Sequence, residues 1–151
     1  MNAEPVLEAN HLVAASRVAH QFTAHETILV VEDEAFVREI TCEILESAGY
    51  CALKAGNATE ARTMFRDHRK AVQLLLTDVI LPGGNGRDLA KEFTAMNSAL
   101  RVIFISGYPE NVFGQEGIAK NGWYLPKPFS AESLLRKIWQ VLAKDLDQFS
   151  T

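Results

Sequence analysis

Short apolar runs alternate with segments of helical periodicity along this chain, and no other feature constrains the fold as strongly. Five runs predict strands: ILVV (28–31), YCALKA (50–55), VQLLLT (72–77), RVIFIS (101–106) and WYLP (123–126). Helical segments are predicted at residues 34–49, 57–69, 86–96 and 131–144. Parallel strands need crossover connections, which are usually helices. The alternation therefore predicts a doubly wound α/β domain, with a parallel sheet covered by helices on both faces.

Local signals support the predicted helices unevenly. Gly49 supplies a stop for the first helix, Asn57 with Glu60 forms an N-cap pair for the second, and Ser130 caps the last. In the first helix six apolar residues fall at helical spacing: Phe36, Val37, Ile40, Ile44, Leu45 and Ala48. In the last helix five are expected to face inward: Leu134, Leu135, Ile138, Val141 and Leu142. Residues 108–122 contain Gly114 and Gly117 and little apolar periodicity, which predicts one or two short turns instead of a full helix.

The two ends and the composition limit the classes of protein to consider. Residues 1–26 carry no strand pattern and are expected to form a flexible or loosely helical extension, and 145–151 a short C-terminal tail. No apolar stretch approaches the roughly 20 residues of a membrane span, and no secretory signal is visible, so we expect a cytoplasmic protein. The net charge of −4 argues against a nucleic-acid-binding face. Cys42 and Cys51 suit neither a disulfide framework nor a zinc site, and both are expected to be small core side chains.

Polar side chains follow four of the five predicted strands. Glu32 and Asp33 follow the first strand, Asp78 the third, Ser106 ends the fourth, and Lys127 follows the fifth. Each has an ordinary structural explanation as a turn, cap or solvated charge. Ligands of open α/β sheets bind at the carboxyl ends of the strands, and this set would deliver three carboxylates, a hydroxyl and an ammonium there. We therefore expect a functional site at that edge.

The chemistry of this set favours phosphoryl transfer. Clustered carboxylates raise one another's pKa unless a cation lies between them, and oxygen ligands of this kind suit Mg²⁺. A carboxylate that meets a metal ion and a lysine can act as a nucleophile towards a phosphoryl group. Mg²⁺ and Lys127 would supply positive charge, and Ser106 a hydrogen bond to a phosphoryl oxygen. Asp78 is the predicted site of phosphorylation.

Four motifs at these positions resemble those of response-regulator receiver domains of two-component signalling. They are ILVVEDE, TDVILPGGNG, VIFISG and YLPKPF, in the family's order, and the resemblance covers residues 27–144. It implies a flavodoxin-like (βα)5 fold with strand order 2-1-3-4-5 and Asp78 as phosphoacceptor. It also implies that Asp33, Asp78 and the backbone carbonyl of Ile80 hold Mg²⁺. Glu32, standing where aspartate is commoner, would be the other acidic member and contact the ion through water.

The same resemblance implies a signalling role and its partners. Ser106 would be the switch hydroxyl, Tyr124 the switch aromatic and Lys127 the phosphate-contacting lysine. The phosphoryl donor would be a histidine kinase or a histidine phosphotransfer protein, and the reader a downstream protein. No direct DNA or membrane binding is expected. The resemblance is compatible with either a monomer or a homodimer. ISGYPENV resembles receivers attached to hybrid histidine kinases, and we expect a single-domain receiver with self-catalysed phosphotransfer and autodephosphorylation only.

Alternative functions from other classes are less well supported by the motifs. A nucleotide-binding α/β enzyme would need a phosphate-binding glycine pattern, whereas GGNG matches neither of the two common ones. A phosphatase of the haloacid-dehalogenase type would need a D-x-D pair, which Asp78-Val79-Ile80 lacks. A purely structural interaction domain would leave the acidic cluster unexplained.

Overall fold

Five parallel strands form the central sheet of the molecule. The computed structural model describes residues 26–107 and 123–150. In chain order the elements are β1 (Thr27–Val31), α1 (Ala35–Ser47), β2 (Cys51–Ala55), α2 (Ala58–His68), β3 (Val72–Asp78), β4 (Ile80–Leu81), β5 (Gly84–Asn85), α3 (Gly86–Met96), β6 (Arg101–Ser106), β7 (Trp123–Pro126) and α4 (Ala131–Ser150). The sheet order is β2-β1-β3-β6-β7, and β4 with β5 makes a separate two-stranded hairpin. Counting the five long strands alone, this is the predicted order 2-1-3-4-5.

Two hydrophobic cores lie on opposite faces of the sheet, because successive strand side chains point to opposite sides. One core joins strand residues such as Leu29, Leu75 and Val102 to α2 and α3, whose Phe65 and Phe93 rings stack with centroids 4.2 Å apart. The other core joins alternate strand residues to α1 and α4. The doubly wound α/β fold predicted from the apolar runs is confirmed.

The side chains of α1 and β2 depart from the sequence interpretation in three places. Phe36 is 75% exposed and Ile40 39% exposed, although both fall at helical spacing. The buried side of α1 contains Thr41, Cys42 and Leu45, of which only Leu45 belongs to the apolar residues at helical spacing. Cys42 is buried as predicted, and burial raises the pKa of its thiol to about 11. Cys51 is exposed, so its predicted place in the core is wrong: it begins β2, which lies at the edge of the sheet.

The predicted helix caps form, and the last helix is longer than expected. The backbone N–H of Glu60 donates to Asn57 Oδ1 at 2.9 Å, and Ser130 and Ser133 exchange two side-chain-to-backbone hydrogen bonds of 3.0 Å each. α4 continues to Ser150, so residues 145–150, expected as a tail, belong to a helix. The expectations for residues 1–25 and 108–122 lie outside the described residues. Within the described ranges, no helix has both the length and the apolar character that a membrane span requires.

Candidate functional site

Three carboxylates meet at the carboxyl ends of β1 and β3. These strands are neighbours, with Val31 paired to Thr77, so the residues that follow them emerge side by side. One carboxylate oxygen each from Glu32, Asp33 and Asp78 lies within 4.8 Å of the others. Glu32 and Asp78 are buried, and Asp33 is exposed. The structure therefore brings together the acidic residues singled out in the sequence, with Asp33 on the solvent side.

Lys127 reaches this cluster from the edge strand β7. Its Nζ lies 2.8 Å from Glu32 Oε1 and 3.0 Å from Asp78 Oδ1. Its backbone N–H donates to the carbonyl of Ser106 at 3.0 Å, which fixes the start of the loop after β7. One ammonium thus bridges two buried carboxylates that come from different strands.

The buried acid pair has unequal proton affinities. Burial, together with a hydrogen bond that the protonated Asp78 donates to the Glu32 carboxylate, raises the pKa of Asp78 to about 8, against the opposing effect of Lys127. Burial alone would raise the pKa of Glu32 too, but hydrogen bonds with Asp78, Lys127 and the Glu34 backbone outweigh it and lower that pKa. For Lys127 burial favours the neutral amine, and its two carboxylate partners reverse this and raise its pKa. Near neutral pH the acid pair therefore shares one proton, in the absence of a further cation.

The second oxygen of Asp78 has a distinct environment. Asp78 Oδ2 is buried and accepts no hydrogen bond from the part of the chain that the structure describes. Leaving a buried carboxylate oxygen without a partner is costly, so native structures normally explain such an atom by an ion or ligand. Three carboxylates with one unpaired buried oxygen fit a hard divalent cation such as Mg²⁺, which prefers oxygen ligands.

Ser106 and Tyr124, the predicted switch pair, are in direct contact. Ser106 ends β6 and is buried, and the register of β3 with β6 places Asp78 opposite its neighbour Ile105. The Tyr124 hydroxyl donates to the Ser106 carbonyl at 2.9 Å, and the ring packs against the core on the α2 and α3 side. The contact therefore runs through the Ser106 backbone, which also accepts the Lys127 N–H.

Ile80, predicted to offer its backbone carbonyl, lies in the hairpin that follows Asp78. It begins β4, pairs with Asn85 of β5, and its side chain is 59% exposed. The hairpin leads directly into α3, whose N-cap Asn85 accepts the backbone N–H of Asp88 at 2.8 Å.

Two further residues support the site and were missed in the sequence. The Arg38 guanidinium on α1 donates to the Glu32 carbonyl at 2.8 Å. Gly86, at the start of α3, approaches so closely that a Cβ there would lie 2.1 Å from the carbonyl oxygen of Asp78. Neither has a sequence signal of its own: Arg38 is one charge on a helix rich in charges, and Gly86 is one glycine of a turn with several.

Comparison with known proteins decides the family. A family model described as the response regulator receiver domain matches residues 28–139. The chain belongs to this family. The receiver is 33% identical over 128 residues to the sensor kinase CckA of Brucella abortus, an alignment that covers 83% of the chain and 13% of CckA. It is 29% identical over 116 residues to the response regulator receiver protein CpdR of Brucella abortus, covering 76% of the chain and 95% of CpdR.

A solved structure agrees with the sequence relatives. The crystal structure of the receiver domain from the hybrid histidine kinase CckA superposes with a TM-score of 0.66 at 33% identity, covering 77% of this chain and 98% of that one. The receiver therefore spans a small part of the curated CckA and nearly all of CpdR. The family and the flavodoxin-like fold inferred from the four motifs are confirmed, which favours a receiver over the phosphatase-like and nucleotide-binding alternatives.

Proposed function

We propose that this receiver accepts a phosphoryl group on Asp78 and signals by a conformational switch to a protein partner. The observation that carries the proposal is the environment of the Asp78 carboxylate. It is buried beside Glu32 and Asp33, one oxygen contacts the Lys127 ammonium, and no N–H or O–H group of the described residues donates to the other in its ionised form. A buried carboxylate that meets an ammonium and a bound cation can act as a nucleophile once that positive charge holds it ionised.

The proposed step transfers a phosphoryl group from a phosphohistidine to Asp78. A carboxylate oxygen of ionised Asp78 forms a bond to phosphorus, and the nitrogen–phosphorus bond of the donor breaks with its electron pair left on the imidazole nitrogen, so that an acyl phosphate forms. Such transfer depends on positioning and charge neutralisation more than on covalent assistance. Lys127 would contact one phosphoryl oxygen, and the Ser106 hydroxyl would donate to another. A histidine kinase or a histidine phosphotransfer protein is the proposed donor.

Asp33, Asp78 and the carbonyl of Ile80 are the proposed Mg²⁺ ligands. When bound, Mg²⁺ would neutralise charge between the carboxylates and the phosphoryl oxygens. Both Glu32 oxygens already have partners, Oε1 with Lys127 and Oε2 with the Glu34 N–H at 3.1 Å. This supports a contact through water for Glu32 and leaves the exposed Asp33 as the better direct ligand.

Calorimetric titration tests this division of roles. Asp33→Ala should abolish detectable Mg²⁺ binding, whereas Glu32→Ala should only weaken it. Equal losses in the two variants would contradict a water-mediated role for Glu32.

The proposed output runs through the backbone of Ser106. The Ser106 carbonyl holds the Tyr124 hydroxyl, so a shift of the Ser106 backbone, as its hydroxyl is drawn towards a phosphoryl oxygen, would change the position of Tyr124. A downstream partner that binds one arrangement of Tyr124 better than the other would thereby read the phosphorylation state. We propose no direct binding to DNA or to a membrane, and self-association into a homodimer is an open alternative.

Labelling with acetyl phosphate and Mg²⁺ tests the phosphoacceptor. Intact-mass measurement should show one added phosphoryl group on the wild-type protein and none on Asp78→Asn, which keeps the shape of the side chain and removes the nucleophile. Asp67→Asn, an exposed aspartate of α2, is the matched control and should be labelled like the wild type. Undiminished labelling of Asp78→Asn would refute the assignment.

A further inference from the structure

Arg38 reaches from α1 back to the turn that presents two of the three acidic side chains. Its side chain is half-buried, and Nη1 donates to the Glu32 carbonyl at 2.8 Å. The same nitrogen lies 3.0 Å from the position that a Cβ on Gly56 would occupy, so the guanidinium also lies against the turn after β2. Arg38 therefore sits between two neighbouring turns at the carboxyl edge of the sheet.

Glu32 is held at each of its polar atoms. Its N–H donates to the Ala55 carbonyl at 3.0 Å, and its two side-chain oxygens contact Lys127 and the Glu34 N–H. The ladder between β1 and β2 ends at the pair Val31 and Ala55, so the Glu32 carbonyl lies beyond it. A buried carbonyl needs a partner, and Arg38 supplies it.

The peptide group that this hydrogen bond holds connects Glu32 to Asp33. Because a peptide group is planar, fixing the direction of the Glu32 carbonyl also fixes the direction in which the chain enters Asp33. Asp33 is exposed, and it follows directly on the peptide group that Arg38 holds. We infer that Arg38 is a positioning residue for the acidic cluster, setting the Asp33 carboxylate relative to Asp78 so that both can bind one divalent cation. The inference rests on the proposed Mg²⁺ role of the cluster.

A purely electrostatic role for Arg38 predicts the opposite effect. Arg38 carries a positive charge that repels a nearby divalent cation, so removing that charge alone would tighten Mg²⁺ binding. Losing the hydrogen bond to the Glu32 carbonyl would instead let the turn relax and weaken binding. The direction of the change in Mg²⁺ affinity therefore separates the two roles.

Mg²⁺ titration of the full chain, by calorimetry and by the rise in unfolding temperature, tests the inference. Arg38→Met keeps the aliphatic stem and removes the hydrogen-bond donor. Arg38→Gln shortens the side chain, so that its amide donor lies farther from the Glu32 carbonyl. Both should raise the Mg²⁺ dissociation constant roughly tenfold, the scale found when a group that orients a metal ligand is removed. Arg38→Lys should restore the affinity to within about threefold, because an ammonium can donate to the same carbonyl. Arg62→Ala, which breaks a helix-to-helix ion pair of 3.0 Å with Glu92, is the control and should leave the affinity unchanged.

Each outcome separates this inference from the phosphoacceptor proposal. Unchanged or tighter Mg²⁺ binding in Arg38→Met and Arg38→Gln would overturn the positioning role, even if acetyl phosphate labels wild-type Asp78. Weaker binding in both, with rescue by Arg38→Lys, would support it even if Asp78 is not labelled. A wild-type protein that binds no Mg²⁺ would refute both the inference and the metal part of the proposed function.

Discussion

Replacing Asp78 by asparagine should stabilise the metal-free receiver, and increasingly so as the pH rises. The folded protein keeps a proton on Asp78 up to a pH of about 8, whereas the unfolded chain loses it near the ordinary value of 3.8. Between these pH values the folded state binds more protons than the unfolded chain. The contribution of Asp78 to the free energy of unfolding is therefore complete below pH 4 and is lost as the pH rises towards 8. Asparagine resembles the protonated acid and does not titrate, so the variant avoids this loss.

The structure sets the size of the effect. Raising the pKa of one isolated carboxyl from 3.8 to about 8 corresponds to about 6 kcal/mol. The free energy that the two acids contribute together changes by less, because the pKa of Glu32, the hydrogen-bonded partner of Asp78, is lowered. We therefore expect Asp78→Asn to be about 2–3 kcal/mol more stable than the wild type at pH 8, a rise in unfolding temperature of about 8 °C. The difference should be smallest near pH 5.

Urea unfolding of both proteins in a chelator, at half-unit steps from pH 5 to 8, measures the difference directly. Asp67→Asn should follow the wild type across the whole range. Saturating Mg²⁺ should flatten the pH dependence of the wild type, because a bound cation favours the ionised pair in the folded state. A stability difference between Asp78→Asn and the wild type that stays constant with pH would refute the shared-proton description of the pair.

Two further substitutions test the packing and the charge of the site. Gly86→Ala puts a Cβ 2.1 Å from the Asp78 carbonyl oxygen, so urea unfolding should show a loss of about 3 kcal/mol in stability, and acetyl phosphate should label the variant poorly. Gly84→Ala, whose Cβ would meet its nearest neighbour at 3.5 Å, is the control and should be tolerated. Equal losses of stability in the two variants would contradict the close-approach argument. Lys127→Met removes the cation between two buried carboxylates and should cost about 2 kcal/mol at pH 8 and less at pH 6, where the pair keeps its proton. Thermal unfolding of Lys54→Met, which breaks an exposed ion pair, is the comparison, and a similar loss there would argue against a special role for burial.

The sheet and the cluster could be predicted because their signals are local in the sequence. Each strand is an apolar run, and each cluster residue lies directly at the end of one, so sheet topology alone brings Glu32, Asp78 and Lys127 together. The position of Ser106 at this edge of the sheet was predicted by the same rule. The order of the strands came from the four motifs and the family they resemble, not from periodicity.

The residues that support the cluster could not be predicted in this way. The bond from Arg38 to the Glu32 carbonyl depends on how α1 is rotated about its axis, and apolar spacing misjudged that rotation, as the exposure of Phe36 shows. The closeness of Gly86 to Asp78 depends on the path of the β4–β5 hairpin, which turn residues indicate without fixing its geometry. Both contacts are tertiary, and no short stretch of sequence encodes them.

The position of Lys127 so late in the chain has a consequence for synthesis. Glu32 follows β1 and Asp78 ends β3, so both acids precede residue 79, whereas their counter-ion Lys127 follows β7. A nascent chain in which β3 but not β7 has been synthesised contains Glu32 and Asp78 without the Lys127 ammonium that offsets their repulsion in the folded protein. Docking of the final strand therefore delivers charge compensation as well as apolar surface, so the acid pair is completed only when the sheet is complete.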